Sequence, residues 1–351
     1  MPSVFFGMKT IILGTRGSAL ALAQAELTRK AISGAFPKAS VEQKVFITRG
    51  DQKLDLSLAR AGEAGGKGLF TRELEEALLS GTIDVAVHSL KDLPGHNPPG
   101  LEITAVLERA PTPDVLITKE PLRIETLPFG AVIGTSSVRR ARQLKWLRAD
   151  LAIEEWRGNV QTRLRKLGES SLVDGIVLAQ AGLERLGYEL WPQNNPASKD
   201  IDLKLSVAAQ DPADRSAGVG SNGLGVLHFS PYSFHASSLS GHLLPAIGQG
   251  AIALQSRADR RDVNSMLAEI DHRETHLAIR AERALQRLLS GDCAMPIGVR
   301  TLLAGDRLTM HAILFGEEGE QPRTAEAYGD AIAPEMIAAE IFAALHQRKQ
   351  S

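Results

Sequence analysis

Lys9-Thr10-Ile11-Ile12-Leu13 is a short apolar run. Gly14-Thr15-Arg16-Gly17-Ser18 follows it, and an alanine-rich stretch then continues to about Ser33. The apolar run reads as a strand and the glycines as a turn. Ser18 reads as a helix cap, because its hydroxyl can accept from a free amide of the first turn. Strand, tight turn and helix within residues 9–33 form the repeating unit of an α/β protein.

The pattern recurs outward from this unit. Val41–Ile47 reads as a second strand, and Phe70, Leu74, Ala77 and Leu78 recur at helical spacing. Ile83–Val87 reads as a third strand, ending in His88-Ser89-Leu90-Lys91-Asp92-Leu93-Pro94. Pro94–Gly100 and Pro111-Thr112-Pro113 mark loops or a hinge. A second series follows: strand Ala131–Gly134, helix Val138–Arg148, strand Leu151–Trp156, helix Val160–Leu167, strand Gly175–Leu178 and a helix ending near Gly187. After Ile252–Gln255 the pattern changes. A long helix at roughly Arg273–Leu289, strand-like runs at Val299–Leu303 and Leu308–Phe315, and a helix from near Pro334 read as a small α+β unit. Residues 192–241 stand apart. Rich in Ser, Gly, Asn, Asp and Pro and without sustained periodicity, they read as a long surface insertion with partial order.

The 351 residues, 43% apolar and 23% charged, suffice for a sizeable core and two or three domains. A net charge of −1, from 40 basic and 41 acidic residues, gives no global case for nucleic-acid or membrane-surface binding. No run approaches the roughly 18 apolar residues of a membrane helix, and Met1–Gly14 is too weakly apolar for a signal peptide. The single cysteine, Cys293, can form neither an internal disulfide nor a Cys-rich metal site. It can act as a nucleophile or covalent anchor, or pack as a small hydrophobe. A reduced, cytoplasmic setting fits best.

Three motif matches fail on context. Gly218-Val219-Gly220-Ser221-Asn222-Gly223 has the dinucleotide spacing, but no strand precedes it and no helix follows. Gly65-Gly66-Lys67-Gly68 lacks the Ser/Thr after the lysine and the earlier glycine of a phosphate loop. His272 and His276 lie four apart on a helix with no evident third ligand, so they read as an exposed polar face and no metal is expected.

Real clustering lies between Thr135 and Lys166. Nine basic residues (Arg139, Arg140, Arg142, Lys145, Arg148, Arg157, Arg163, Arg165, Lys166) face three acidic ones (Asp150, Glu154, Glu155), a local charge of +6. Thr135-Ser136-Ser137 precedes a helix, placing hydroxyls and free amides at its positive end. Arg157 and Arg163 come from the next strand–helix turn, and such turns converge at the carboxyl ends of parallel strands. The first unit has the same layout, with Arg16 and Ser18 after one strand, Arg49-Gly50-Asp51 after the second, and Ser89, Lys91 and Asp92 after the third. Both units are expected to aim arginines and hydroxyls at a shared cleft. Arginine favours bidentate grip on carboxylates or phosphates. The interleaved aromatics expected for base stacking are lacking, with aromatic residues only 5% of the chain, so a small polyanion fits better than nucleic acid. Asp92, beside Lys91, is the acid placed to hold a proton donor or steady a developing cation.

These residues carry a family resemblance. Gly-Thr-Arg-Gly-Ser-Ala-Leu-Ala (14–21), Thr-Arg-Gly-Asp (48–51), Gly-Gly-Lys-Gly-Leu-Phe (65–70), Val-His-Ser-Leu-Lys-Asp-Leu-Pro (87–94) and Gly-Thr-Ser-Ser-Val-Arg-Arg (134–140) begin the series. Arg-Gly-Asn-Val-Gln-Thr-Arg-Leu (157–164), Leu-Ala-Gln-Ala-Gly-Leu-Glu-Arg-Leu-Gly (178–187), Leu-Pro-Ala-Ile-Gly-Gln-Gly-Ala (244–251) and Gly-Asp-Cys-Ala-Met-Pro-Ile-Gly (291–298) complete it. In order and almost throughout its length, the chain resembles the hydroxymethylbilane synthases, or porphobilinogen deaminases.

The resemblance implies a transferase of tetrapyrrole (porphyrin and heme) biosynthesis. Four porphobilinogen units join head to tail, with loss of ammonia, onto a dipyrromethane cofactor held through a thioether, and hydrolysis then releases hydroxymethylbilane. It implies Cys293 as the attachment point and Asp92 as the catalytic carboxylate near the azafulvene-like cation. Cofactor binding would fall to Ser89, Lys91, Asp92, Thr135, Ser136, Ser137, Arg139, Arg140, Arg157 and Gly158. Substrate carboxylates would fall to Arg16, Ser18, Lys67, Arg157, Arg163 and Arg185.

The implied fold is α/β, with two doubly wound, periplasmic-binding-protein-like domains plus a small α+β C-terminal domain. The expected boundaries are 1–107 with 248–269, then 108–247 containing the insertion at about 192–241, then 270–351. The expected partners are porphobilinogen alone, with no nucleic acid, membrane or metal, acting on a cytoplasmic monomer. Three departures stand out: a longer loop at Leu58–Gly68 with Arg60 where a lysine is usual, Asp292 where glycine is usual, and the insertion itself. The alternative from another class is a non-catalytic carboxylate-binding protein of the same bilobal fold.

Overall fold

The computed structural model describes residues 10–48, 71–192, 200–204, 232, 234–289, 296–317 and 319–347. In chain order the strands are β1 (Thr10–Arg16), β2 (Ser40–Phe46), β3 (Val85–Ser89), β4 (Leu101–Val106), β5 (Asp114–Thr118), β6 (Val132–Gly134), β7 (Ala152–Glu154) and β8 (Gly175–Ala179). They continue with β9 (Glu189–Pro192), β10 (Asp200–Lys204), β11 (Phe234–Ser238), β12 (Ile252–Arg257), β13 (Ile297–Ala304), β14 (Arg307–Leu314) and β15 (Arg323–Asp330). The helices are α1 (Ala19–Ala35), α2 (Arg72–Leu79), α3 (Val138–Leu147), α4 (Val160–Glu169), α5 (Gln180–Arg185), α6 (Arg261–Ala268), α7 (Arg273–Leu288) and α8 (Pro334–His346). Chain contacts divide these into two compact units, Met1–Ala110 with Leu244–Ser351, and Pro111–Leu243.

In the first unit a five-stranded sheet has the order β2-β1-β3-β12-β4. β1 pairs in parallel with β2 and β3, whereas β12 runs antiparallel between β3 and β4. The opening strand forms because Ile11 and Leu13 are fully buried, and α1 starts where Ser18 accepts from Ala21 N. Its inner face carries Ala21, Gln24, Ala25, Thr28 and Ile32. One core joins Ile11, Leu13, Ile32, Val85, Val87, Ile252 and Leu254 with Val263, Met266 and Leu267 of α6. Each such side chain contributes roughly 1.5–3 kcal/mol by leaving water. Within this same unit the antiparallel sheet β13-β14-β15 packs against α7 and α8.

The second unit is a seven-stranded sheet, β7-β6-β8-β5-β11-β10-β9. β6 is parallel to β7 and β8, while β5 runs antiparallel to β8 and β11. Within 192–241, read as a long surface insertion with partial order, the described residues include two strands. β10 pairs with β9 and β11, and β11 lies against β5 with Phe234 and Ala236 buried. The polar residues of β11 masked a strand that completes the core sheet. Among the described residues, no helix is long and apolar enough to cross a membrane.

Candidate active site

Parallel strands end together, so the segments that follow them meet. In the first unit Arg16 closes β1, Ser18 caps α1, Ser89 closes β3, and Asp92 ends the single 3-10 turn Leu90–Asp92. These four residues line one pocket, together with Gln24 and His88. Asp92 is exposed and Lys91 is half-buried on the same turn. The Ser89 hydroxyl exchanges hydrogen bonds with the Gln24 amide at 2.8 and 3.0 Å, which fixes the serine over α1.

Gln24 and His88 were missed as site residues. Gln24 had a signal, a polar side chain amid the alanines of the buried helix face. His88 stands immediately before Ser89, the first of the three residues of the quoted motif that drew attention. It is buried and shares a 3.2 Å hydrogen bond between Nε2 and Gln255 Oε1 of β12. Burial lowers its pKa to about 4 from 6.5, the Gln255 bond opposes that shift, and the Arg16 and Arg283 charges reinforce it.

A neutral buried imidazole therefore stabilises the fold fully above pH 6.5, and that stability is lost as pH falls toward 4. The interval corresponds to roughly 3 kcal/mol. His88→Gln, which cannot titrate, is expected to show a flatter dependence of urea midpoint on pH between 6.5 and 4 than the parent. Parallel profiles for the two proteins would refute this account.

In the second unit the turn after β6 holds Thr135, Ser136 and Ser137. Thr135 Oγ1 accepts from Ser137 N at 3.2 Å, Ser136 Oγ donates to Trp156 O at 2.5 Å, and Ser137 Oγ accepts from Arg140 N at the start of α3. Arg139 and Arg140 lie almost fully buried on that helix, both turned onto Asp114 at the start of β5. Arg139 Nη2 donates to Asp114 Oδ2 at 2.8 Å. Arg140 donates to Oδ1 from Nε and Nη2 at 3.1 and 2.7 Å, and its Nη1 donates to Val177 O. Burial alone would raise the Asp114 carboxyl, but the two guanidinium groups hold it well below the usual carboxylate range. Two cations on one anion leave the cluster with a net positive charge beside the serine-rich turn.

The turn after β7 carries Arg157 and Gly158, and Arg163 follows in the first turn of α4. Arg157 grips Glu155 at 2.5 and 2.8 Å, and Arg163 Nε donates to Gly158 O at 2.8 Å. Gly158 has φ +119°, and a Cβ there would lie 2.7 Å from Thr162 Cγ2, so the turn requires glycine. Arg185, at the end of α5, is half-buried. Burial lowers its pKa to about 10, against the pull of Glu184, so it stays protonated at neutral pH.

Cys293, Asp292, Lys67, Arg60, Arg49–Asp51 and the Gly218–Gly223 run lie outside the described residues. The two histidines spaced four apart have separate partners, since His272 caps α7 at Thr275 and His276 Nδ1 bonds Asp271 at 2.9 Å.

One pocket of this α/β protein thus joins an acid, an arginine and two serines, and strand ends in the other unit carry further arginines beside hydroxyls. A sequence model described as porphobilinogen deaminase, dipyromethane cofactor binding domain, matches residues 11–210, and that of the porphobilinogen deaminase C-terminal domain matches 276–346. The porphobilinogen deaminase of Syntrophobacter fumaroxidans is 41% identical over 89% of this chain and 86% of its own length. That of Desulforudis audaxviator is 40% identical over 94% and 92%, and that of Chromobacterium violaceum 37% identical over 92% and 90%. The chain belongs to the porphobilinogen deaminase family.

Proposed function

We propose that Asp92 is the catalytic carboxylate, that Cys293 carries the cofactor, and that the strand-end arginines and hydroxyls bind its carboxylates and those of the substrate. The activity served is hydroxymethylbilane synthesis in tetrapyrrole biosynthesis, a group transfer that uses a dipyrromethane cofactor and porphobilinogen.

The donor set suits that cofactor. A dipyrromethane bears acetate and propionate groups, and the turn Thr135–Ser137 offers hydroxyls and a helix start beside a buried cluster of net positive charge. Ser89, Lys91, Arg139, Arg140, Arg157 and Gly158 join it in this reading, while Arg16, Ser18, Lys67, Arg163 and Arg185 take incoming substrate. When bound, the cofactor supplies the free pyrrole carbon at which chain growth starts.

Asp92 is the acidic member of a pocket that also holds Arg16, Ser18 and Ser89, and that juxtaposition carries the proposal. As ammonia leaves porphobilinogen, positive charge develops on its pyrrole. A fixed carboxylate within hydrogen-bond reach of the ring N–H stabilises that charge. Arg16 orients the substrate by its carboxylates without cancelling the Asp92 charge. The reading includes a monomer working in the cytoplasm, where a nucleophilic thiol finds reducing surroundings.

Intact mass spectrometry tests the anchor. The purified protein is expected to carry a covalent excess equal to two condensed pyrrole units, and Cys293→Ser none. An active parent of unmodified mass would sink the assignment.

A further inference from the structure

Asp92 sits on a single 3-10 turn in which Leu93 N donates to Leu90 O at 3.0 Å. Its position depends on what the turn rests upon. Leu90 N donates to Ala251 O, and Ala251 N donates to Gly248 O, both at 3.1 Å. Gly248, at φ +71°, lies flat against the same turn. A Cβ there would stand 2.1 Å from Leu90 Cδ2 and 3.1 Å from Lys91 N. Residues 248–251 are thus the bed on which the acid-bearing turn lies.

One carboxylate fastens that bed. Glu282 of α7 is fully buried, and its Oε2 accepts from Gly248 N at 2.7 Å. Arg109 donates to both Glu282 oxygens at 2.6 and 3.0 Å, and to Gln249 O at 2.9 Å. Ala110 N donates to Gly250 O, and the Thr301 hydroxyl of β13 donates to Glu282 Oε1. A buried ion pair confers little stability that apolar residues of the same size could not replace. What the carboxylate adds is an acceptor for the Gly248 amide.

We infer that Glu282 is a positioning residue: through Gly248 it fixes the height and tilt of the turn that presents Asp92, and Arg109 holds Glu282 in place for that task. The inference rests on the catalytic role proposed for Asp92. The same helix, α7, ends at Leu288 and carries the chain toward Cys293.

Two double variants of the full chain test it, R109M/E282Q and R109M/E282L. Both remove the buried charges together, but only the glutamine keeps an oxygen for Gly248 N. Circular dichroism and intact mass establish that each is folded and cofactor-loaded before kinetics with porphobilinogen. The leucine variant is expected to have a kcat about tenfold or more below the glutamine variant, with KM within about twofold, because a displacement near 1 Å of a catalytic group costs on that scale. Equal kcat values would overturn the inference. Should neither double variant fold, Gly248→Ala decides: about a tenfold loss of kcat in a folded, loaded protein supports the inference, and parental kcat overturns it. A fully active Asp92→Asn would instead overturn the reading of Asp92, whatever the Glu282 variants do.

Discussion

Asp92→Asn is expected to fold as the parent does and to lose turnover by about two to four orders of magnitude. The side chain is exposed on its turn and takes no part in the core, so an isosteric amide changes stability by no more than about 0.5 kcal/mol. It does remove the negative charge from a pocket whose nearby charged neighbour is Arg16. With the amide in place, the positive charge that develops on the pyrrole meets a guanidinium and a neutral dipole. The loss should fall on kcat, because under the proposed roles the carboxylates of porphobilinogen still find Arg16 and Ser18. Steady-state kinetics beside a thermal melt provide the check, and a folded variant within about threefold of parental kcat would remove Asp92 from the chemistry.

The second large effect is on stability. Asp114→Asn strands two buried guanidinium groups, Arg139 at 5% and Arg140 at 6% side-chain exposure, without their shared counter-charge. Removing one partner of a buried ion cluster costs about 3–5 kcal/mol, since the remaining charge stays out of water and loses that counterion. The Asp114 carboxyl is held below its ordinary value, so its contribution is complete above that value and is lost only as pH falls through strongly acid conditions. Urea unfolding at pH 7 should show a markedly lower midpoint for the variant, with fraying of α3 and the Thr135–Ser137 turn. An unchanged midpoint would mean that water, rather than Asp114, satisfies the arginines.

What the sequence made legible was local. Ile11, Leu13 and the Ser18 cap identified β1 and α1, and the runs Ile83–Val87, Ala131–Gly134 and Gly175–Leu178 marked the parallel strands whose ends carry the candidate groups. Strands without that regularity were overlooked. β5 begins with a charged residue, Asp114, which looks like a loop until two arginines are seen to cover it. β4 follows a proline-rich loop, and β15 is half-exposed and reads as polar in Arg323-Thr324-Ala325-Glu326.

Long-range pairings were equally invisible. Arg139 and Arg140 stood out as cations for a ligand, and nothing adjacent revealed that Asp114 claims them from 25 and 26 residues away. Arg109 and Glu282, 173 positions apart, carried no local signal at all. The motif 244–251 was noticed only through resemblance, and its physical office, as a support beneath the Asp92 turn, emerges from Gly248.

The antiparallel β12, lodged between β3 and β4, sets the order in which this polypeptide can mature. A ribosome delivers β1 to β4 early, yet their sheet keeps a gap until the whole of Pro111–Leu243 has been translated and the chain has come back. The inserted unit has every strand it needs before that moment. The nascent N-terminal layer must therefore wait with apolar edges showing, and a message truncated before codon 252 yields a protein whose later half is finished and whose earlier half is not.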